Sequence, residues 1–305
     1  MRNDEALSVD EVADILQVSR NTVYALKDKG LLNSYKVGRI LRFTYTDVQA
    51  YIANSKKVAG KKAAFGGGGN ATERFVICGQ DIILDVLSNY VAQAGIESLR
   101  SYFGSYDALT DLYKDKVQVA SSHLWDAETN EYNIPYVKKL LPSTPAIVVN
   151  LTYRMQGFYV TRGNPKDLQS WSDLLRPGIV LANREKGSGS RILLDEHLRL
   201  QAANPFTIEG YLNETQSHIA VASKVARGFA DVAVGSEKIA RQVEGIDFVP
   251  LQKERYDLVV KQAHYDTRPV QVMMSILESG IMREEFASLG GYDTSDMGRI
   301  MWISS

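Results

Sequence analysis

Asn183-Arg-Glu-Lys-Gly-Ser-Gly-Ser-Arg-Ile-Leu-Leu-Asp195 follows an apolar run, Gly178 to Leu181, and leads into helical spacing, so it reads as strand, glycine loop, helix. In that arrangement the first-turn amides of Gly187 to Arg191 lack intrahelical partners and point outward with the positive end of the helix dipole. An anion is their natural partner. Ser188 and Ser190 place two hydroxyls among them. The spacing is not that of a P-loop, which needs four residues between its glycines and then Gly-Lys-Ser/Thr, nor that of the dinucleotide fingerprint. Two readings fit: a cradle for a small oxyanion, or a glycine turn capped by serines with no ligand.

The same rhythm recurs on either side. Phe75-Val-Ile-Cys78 is a short apolar strand, followed by Gly79-Gln80-Asp81 and a helix through Ile82, Ile83, Val86, Leu87 and Val91. Leu99 to Phe103 leads through Gly104-Ser105 into a helix from Tyr106, and Val117 to Ala120 leads into Ser121-Ser122-His123. A second run begins near Asn164, with Trp171-Ser-Asp-Leu-Leu, the glycine loop, Ser217-His218 and an Asp231-Val-Ala-Val-Gly235 strand. Alternating strands and helices predict a parallel, doubly wound sheet whose ligands lie beyond the carboxyl ends of its strands. Two such units with a cleft between them describe a bilobed α/β binding domain, with a first lobe at about 73–160 and 255–305 and a second at about 161–254.

The candidate ligand-binding residues are those that this topology gathers at the cleft: Gln80, Ser105, Ser121, Ser122, His123 and Arg154 on one side, and Gly187, Ser188, Gly189, Ser190, Arg191, Ser217 and His218 on the other. His123 and His218 are either donors to a ligand or satisfied structural histidines. Arg154 either neutralises an anion in the cleft or pairs with an acid at the hinge, and Arg191 is either a ligand or a first-turn surface residue. Tyr153 and Tyr256 read as packing. Two distant histidines are too few for a metal site, and the Gly-x-Ser-x-Gly elbow is missing, so no free metal, no cofactor and no catalytic residue is expected.

The chain has 305 residues, 45% of them hydrophobic and 23% charged, which is the composition of a soluble globular protein long enough for two or three domains. Its net charge of -1 hides an asymmetry: residues 1–62 carry 11 Lys+Arg against 7 Asp+Glu, net +4, leaving 24 against 29, net -5, for the remainder. One cysteine, Cys78, excludes an internal disulfide framework and fits a reducing compartment. No apolar run reaches membrane-spanning length and no signal-type core follows the N-terminus, so a cytoplasmic protein is expected.

In the basic head, residues 1–55, Ser8-Val-Asp-Glu11 is a capping box, with Val9, Val12, Ala13, Ile15 and Leu16 at helical spacing behind it. A first helix is predicted over Val9 to Leu16. Ser19 caps a second, with Val23 and Leu26 inward and Gly30 as a stop. Lys36 to Phe43 reads as two short strands around Gly38, and Thr46-Asp-Val-Gln49 caps a last helix. Two short helices joined by a tight turn make a helix-turn-helix. Residues 56–72, rich in lysine and holding four consecutive glycines at 66–69, read as a flexible linker.

Residues 7–52 resemble the winged helix-turn-helix of the excisionase family, related to the MerR type, through Glu11-Val-Ala13, Leu16, Val18-Ser-Arg20, Thr22-Val-Tyr24, Gly38-Arg39, Arg42-Phe43 and Tyr51. Gln17 departs from it, standing where glycine is common. The resemblance implies binding to double-stranded DNA. Charge agrees, since Ser19 to Lys62 holds ten basic residues and two acidic ones. Arg20, Asn21 and Tyr24 are assigned to base edges, and Thr22, Lys27, Arg39 and Arg42 to phosphates.

Residues 75–299 resemble the cytoplasmic type II periplasmic-binding-protein-like domain of the PBP superfamily, found beside helix-turn-helix heads and molybdopterin-biosynthesis modules. The runs that carry this include His123-Leu124, Asp126-Ala-Glu-Thr-Asn-Glu-Tyr-Asn133, Asn150-Leu-Thr-Tyr-Arg154, Asn183-Arg184, Gly187-Ser-Gly-Ser-Arg191, Glu254-Arg-Tyr-Asp257 and Gly291-Tyr-Asp-Thr-Ser295. Gln80 departs from the serine that usually follows the first-loop glycine. The glycine loop also resembles the anion loop of tungstate, molybdate and phosphate uptake proteins, which implies a tetrahedral oxyanion such as molybdate or tungstate as effector. The expectation is a non-enzymatic, one-component transcriptional regulator, dimeric through its body. Its rivals are a transport-type binding protein, an excisionase-like architectural factor, and an accessory protein or enzyme of molybdenum-cofactor assembly.

Overall fold

The computed structural model describes residues 6–16, 23–24, 26–27, 32–37, 40–48 and 75–304. The chain divides into two compact units, Met1–Ala71 and Thr72–Ser305. In the first, strand β1 (Ala6–Leu7) precedes helix α1 (Val9–Leu16), and β2 (Tyr35–Val37) and β3 (Ile40–Thr44) form an antiparallel hairpin with β1 on the far side of β3. The capping box closes as its spacing requires: Ser8 Oγ accepts from Glu11 N at 3.3 Å, and Glu11 Oε2 accepts from Ser8 N at 2.7 Å. Val12, Val23, Leu32, Phe43 and Val48 bury their side chains in one small core. The helix that begins at Tyr45 is capped by Thr44, whose Oγ1 accepts from Asp47 N at 3.1 Å, and not by Thr46, because the chain turns directly out of β3. The Ser19 cap, Arg20, Asn21, Thr22, Arg39 and the 56–72 linker lie outside the described residues. Tyr24 is exposed, and Lys27 and Arg42 are half-buried.

The second unit is built on one nine-stranded sheet. Its strands are β4 (Phe75–Cys78), β5 (Ser98–Ser101), β6 (Val119–Ser122), β9 (Ala146–Thr161), β10 (Leu181–Arg184), β11 (Glu214–Thr215), β12 (Val232–Ser236), β13 (Ile246–Lys261) and β14 (Ile300–Ile303), with β7 (Trp125–Asp126) and β8 (Glu131–Tyr132) forming a separate hairpin. The helices are α2 (Ile82–Gln93), α3 (Ser105–Tyr113), α4 (Ile134–Leu140), α5 (Gly189–Leu200), α6 (His218–Ala226), α7 (Glu237–Ala240), α8 (Gln262–Tyr265), α9 (Arg268–Glu278) and α10 (Ile281–Leu289). The strand order is β11-β10-β12-β9-β13-β6-β4-β5, with β14 also on β9.

The sheet is mixed and not the purely parallel one that strand–helix alternation suggests. β4 with β5 and β6, and β10 with β11 and β12, are parallel, but β9 and β13 run antiparallel to each other for 16 residues each and antiparallel to β12 and β6. Their apolar stretches, Ala146 to Leu151 and Phe158 to Val160 on β9, are interrupted by the polar Thr152 to Gly157, which reads locally as a break. In three dimensions that interruption is the crossing between two cores. Ile147, Val149, Leu258 and Val260 pack with α2 and α9 at one end, while Phe158, Val160, Leu194 and Val232 pack at the other. The strand before the glycine loop starts at Leu181 and continues through Arg184, later than its apolar run indicates. β11 and β12 flank it, burying Asn183 and Arg184.

Gly157 marks the closest approach of the crossing strands. A Cβ there would lie 2.8 Å from Phe248 Cζ and nearer still to the Val249 carbonyl oxygen. The backbone of β13 cannot yield, so Gly157→Ala is expected to cost about 1–3 kcal/mol or more in urea denaturation. A change below about 0.5 kcal/mol would mean that the crossing is loosely packed.

Candidate functional site

The strands β4, β5, β10, β11 and β12 end toward one cleft of about 250 Å³, and the helix after each begins at its wall. Five helix starts line it: Asp81 and Ile82 of α2, Gly104 and Ser105 of α3, Ser188 and Gly189 of α5, His218 and Ile219 of α6, and Ser236 and Lys238 of α7. Local chemistry sets these starts. Asp81 caps α2 by accepting from Ile83 N at 2.9 Å, Ser188 caps α5 by accepting from Arg191 N at 3.4 Å, and Ser217 caps α6 by accepting from Ala220 N at 3.1 Å. The remaining first-turn amides have no intrahelical partner, so the wall carries the positive ends of several helix dipoles.

The floor comes from the crossing stretches of β9 and β13, whose register sets Arg154 directly opposite Glu254. Arg154 Nε donates to Glu254 Oε1 at 2.5 Å, Arg154 Nη1 pairs with Asp81, and the guanidinium lies 4.1 Å from the Tyr256 ring centre. Glu254 Oε2 is 2.8 Å from His123 Nδ1, and Tyr292 donates to Asp81 Oδ1 at 2.8 Å. Burial pushes the Glu254 carboxyl up, but the Arg154 charge and then His123 outweigh it and hold the group down at about 2. Arg154 is thus bound between two carboxylates, the hinge pairing of its two sequence readings. His218, by contrast, is kept neutral at pH 7: burial first, and then the Arg184 charge, drop its pKa well below 6.5.

Of the residues picked out by sequence, Gln80, Ser105, Ser121, His123, Arg154, Ser188, Gly189 and His218 line the cleft. Ser122, Gly187, Ser190, Arg191 and Ser217 are not among its lining residues. Ser190 Oγ donates to Gln156 Oε1 at 3.2 Å. Arg191 is buried, with Nε at 3.0 Å from Asp195, Nη1 donating to the Arg184 carbonyl at 3.1 Å, and its guanidinium over the Tyr211 ring. Gly187 has φ 87° and accepts from Tyr106 N at 3.1 Å, bringing the glycine loop against α3. Tyr256, read as packing, also reaches the cleft and bonds Ser121 Oγ at 2.7 Å.

Sequence reading missed Asp81, Lys238 and Tyr292 in the lining. Asp81 had a signal, an Asp at the N-cap position before an apolar helix. Lys238 and Tyr292 arrive from distant segments and had none. Away from the cleft, the β7–β8 hairpin docks on the C-terminal half of α5. His197 there is stacked between Trp125 at 4.6 Å and Trp171 at 4.2 Å, and bonds Gln252 at 2.8 Å. No helix among the described residues is long and apolar enough to cross a membrane.

Comparison with known proteins agrees with this architecture. Residues 88–278 match the PBP superfamily domain, and residues 6–56 match a helix-turn-helix domain. The chain is 39% identical over 308 residues to YvgK, an uncharacterized protein of Bacillus subtilis, covering 99% of both chains. Among solved structures, a protein from Clostridium perfringens described as a phosphate ABC transporter substrate-binding protein, with phosphate bound, matches at TM-score 0.53 and 12% identity over 72% of this chain and 99% of its own. Full-length BenM matches at TM-score 0.51 and 11% identity over 92% of each chain. At these identities the two structural likenesses are of fold.

Proposed function

The chain belongs to the PBP superfamily domain family and carries a helix-turn-helix domain ahead of it, and from that premise we propose a one-component transcriptional regulator that senses a small oxyanion. The pairing of a DNA-binding head with a ligand-binding body supports a DNA-binding, ligand-sensing protein. The observation that carries the ligand class is the convergence of five helix starts on one cleft.

The charge balance narrows it further. The cleft carboxylates already accept internal bonds: Asp81 from Ile83, Tyr292 and Arg154, Glu254 from Arg154 and His123, and Asp85 Oδ1 from Arg100 at 2.9 Å and Tyr102 at 2.8 Å. What the cleft still offers are donors, so it suits a ligand that only accepts. A fully ionised tetrahedral dianion such as molybdate or tungstate fits this better than a protonated phosphate. Gly189, Ser105, Ser121, His123 and His218 would form the contacts, whereas Ser188 Oγ already donates to the Glu185 carbonyl at 2.9 Å and shapes the loop. Closure changes DNA affinity only through preference for one arrangement of the lobes, exerted through the spacing of two heads in a dimer.

The test is thermal unfolding of the full chain with molybdate, tungstate, sulfate or phosphate. A ligand at 100 times its Kd is expected to add about 2.7 kcal/mol of stability, and the same anion should shift operator affinity. If none of the four raises Tm at millimolar concentration, the cleft does not bind oxyanions.

A further inference from the structure

Strand β10 ends on Arg184, whose side chain is 1% exposed. Nε and Nη2 hold the two oxygens of Glu185 at 2.7 and 2.8 Å, and Nη2 also reaches Gln80 Oε1, on the opposite side of the cleft, at 2.8 Å. Nη1 is buried and has no partner. Buried guanidinium donors are satisfied as a rule; Arg283 Nε is orphaned too, away from the cleft, so what singles out Arg184 is its contact with a residue of the cleft.

Arg184 is not itself among the residues that line the cleft, but two of its neighbours are. Gln80, which Arg184 touches, and His218, which feels the Arg184 charge, both line the cleft. The imidazole Nδ1 of His218 is also buried without a partner. Arg191, the cation that the glycine loop suggests by sequence, is already committed to Asp195, the Arg184 carbonyl and the Tyr211 ring. Gln80 also has a role here that a serine could not fill, since a longer side chain is needed to reach Arg184 from the first loop.

We propose that Arg184 is the guanidinium that reads the ligand, with one anionic oxygen held between Arg184 Nη1 and His218 Nδ1 while Glu185 and Gln80 fix the guanidinium plane. Lysine cannot replace it, because Arg184 would spread four hydrogen bonds, two to Glu185, one to Gln80 and one to the ligand oxygen, over the separated nitrogens of a planar fork, whereas an ammonium has three donors on one atom. The assignment rests on the oxyanion reading of the cleft.

Titration calorimetry of the full chain with tungstate tests it. Arg184→Lys is expected to weaken binding roughly ten- to a hundredfold, the usual effect of losing a hydrogen bond to a charged partner. His218→Phe should weaken it by about tenfold, and Arg191→Lys should stay within about threefold. Glu185→Gln keeps an acceptor that fixes the guanidinium plane while removing a negative charge beside the ligand oxygen, and should tighten binding by about threefold or more. Wild-type affinity in Arg184→Lys, or unchanged or weaker binding in Glu185→Gln, overturns the assignment while leaving the oxyanion reading intact. If Arg184→Lys does not fold, the Glu185→Gln and His218→Phe results decide, and both must move as stated. A wild-type chain that binds no tungstate overturns both readings together.

Discussion

Glu254→Gln is expected to lower the stability of the body by about 3 kcal/mol, because Arg154 is left with one of its two buried carboxylates and His123 with none. Glu254 is buried at the crossing of β9 and β13 and serves Arg154 and His123 at once. In the variant, Arg154 keeps only Asp81, and His123 loses its carboxylate. The wild type should also show an acid limb that the variant lacks. A carboxyl held at about 2 against its ordinary 4.5 contributes stability that is fully present above pH 4.5 and is lost as pH falls through about 2. The shift corresponds to about 3 kcal/mol. Urea denaturation of both proteins from pH 7 down to pH 2 measures this, and parallel pH profiles would show that Glu254 does not hold the floor of the cleft.

Gly189→Ala is expected to weaken oxyanion binding by about tenfold or more, that is by at least about 1.4 kcal/mol. A Cβ at position 189 would fall 2.5 Å from both Nδ1 and Nε2 of His123. That ring is held by Glu254 at 2.8 Å and cannot swing away without giving up the bond. Either the start of α5 retreats from the first lobe or His123 leaves Glu254, and both open the cleft. Gly95, unlike Gly189, has a positive φ of 82° but nothing within 4 Å of a new Cβ, so Gly95→Ala serves as the control for backbone strain without a contact at the cleft. Calorimetry with tungstate on both variants separates them, and equal affinity in Gly189→Ala and wild type would place the ligand away from the His123–Gly189 contact.

Much of the local structure was legible because it depends on neighbours in the chain. The Ser8–Glu11 capping box, α1 over Val9 to Leu16, and the loops that deliver helix starts at Asp81, Ser105, Ser188 and His218 all follow from spacings of a few residues. The bounds of β10 were less legible, since Asn183 and Arg184 are polar and extend the strand through their pairing with β11. Thr44 displaced Thr46 as a cap for a similar reason: the end of β3, set by its pairing with β1, decides where the helix begins.

By itself the sequence determined a basic helix-turn-helix head, an α/β body and a set of glycine- and serine-bearing helix starts, because propensity, capping and periodicity are properties of adjacent residues. Only the tertiary structure decided which charges face the cleft. Arg154 meets Glu254 through the register of two 16-residue strands and meets Asp81 through a loop 73 positions away, and nothing local to any of the three reports that distance. Arg191 turns inward to Asp195 while Arg184 reaches Gln80 across the cleft, although both flank the same glycine loop. Electrostatic and hydrogen-bond energies depend on separations of a few ångströms, and in this body those separations are set by strands that cross far from one another in the chain.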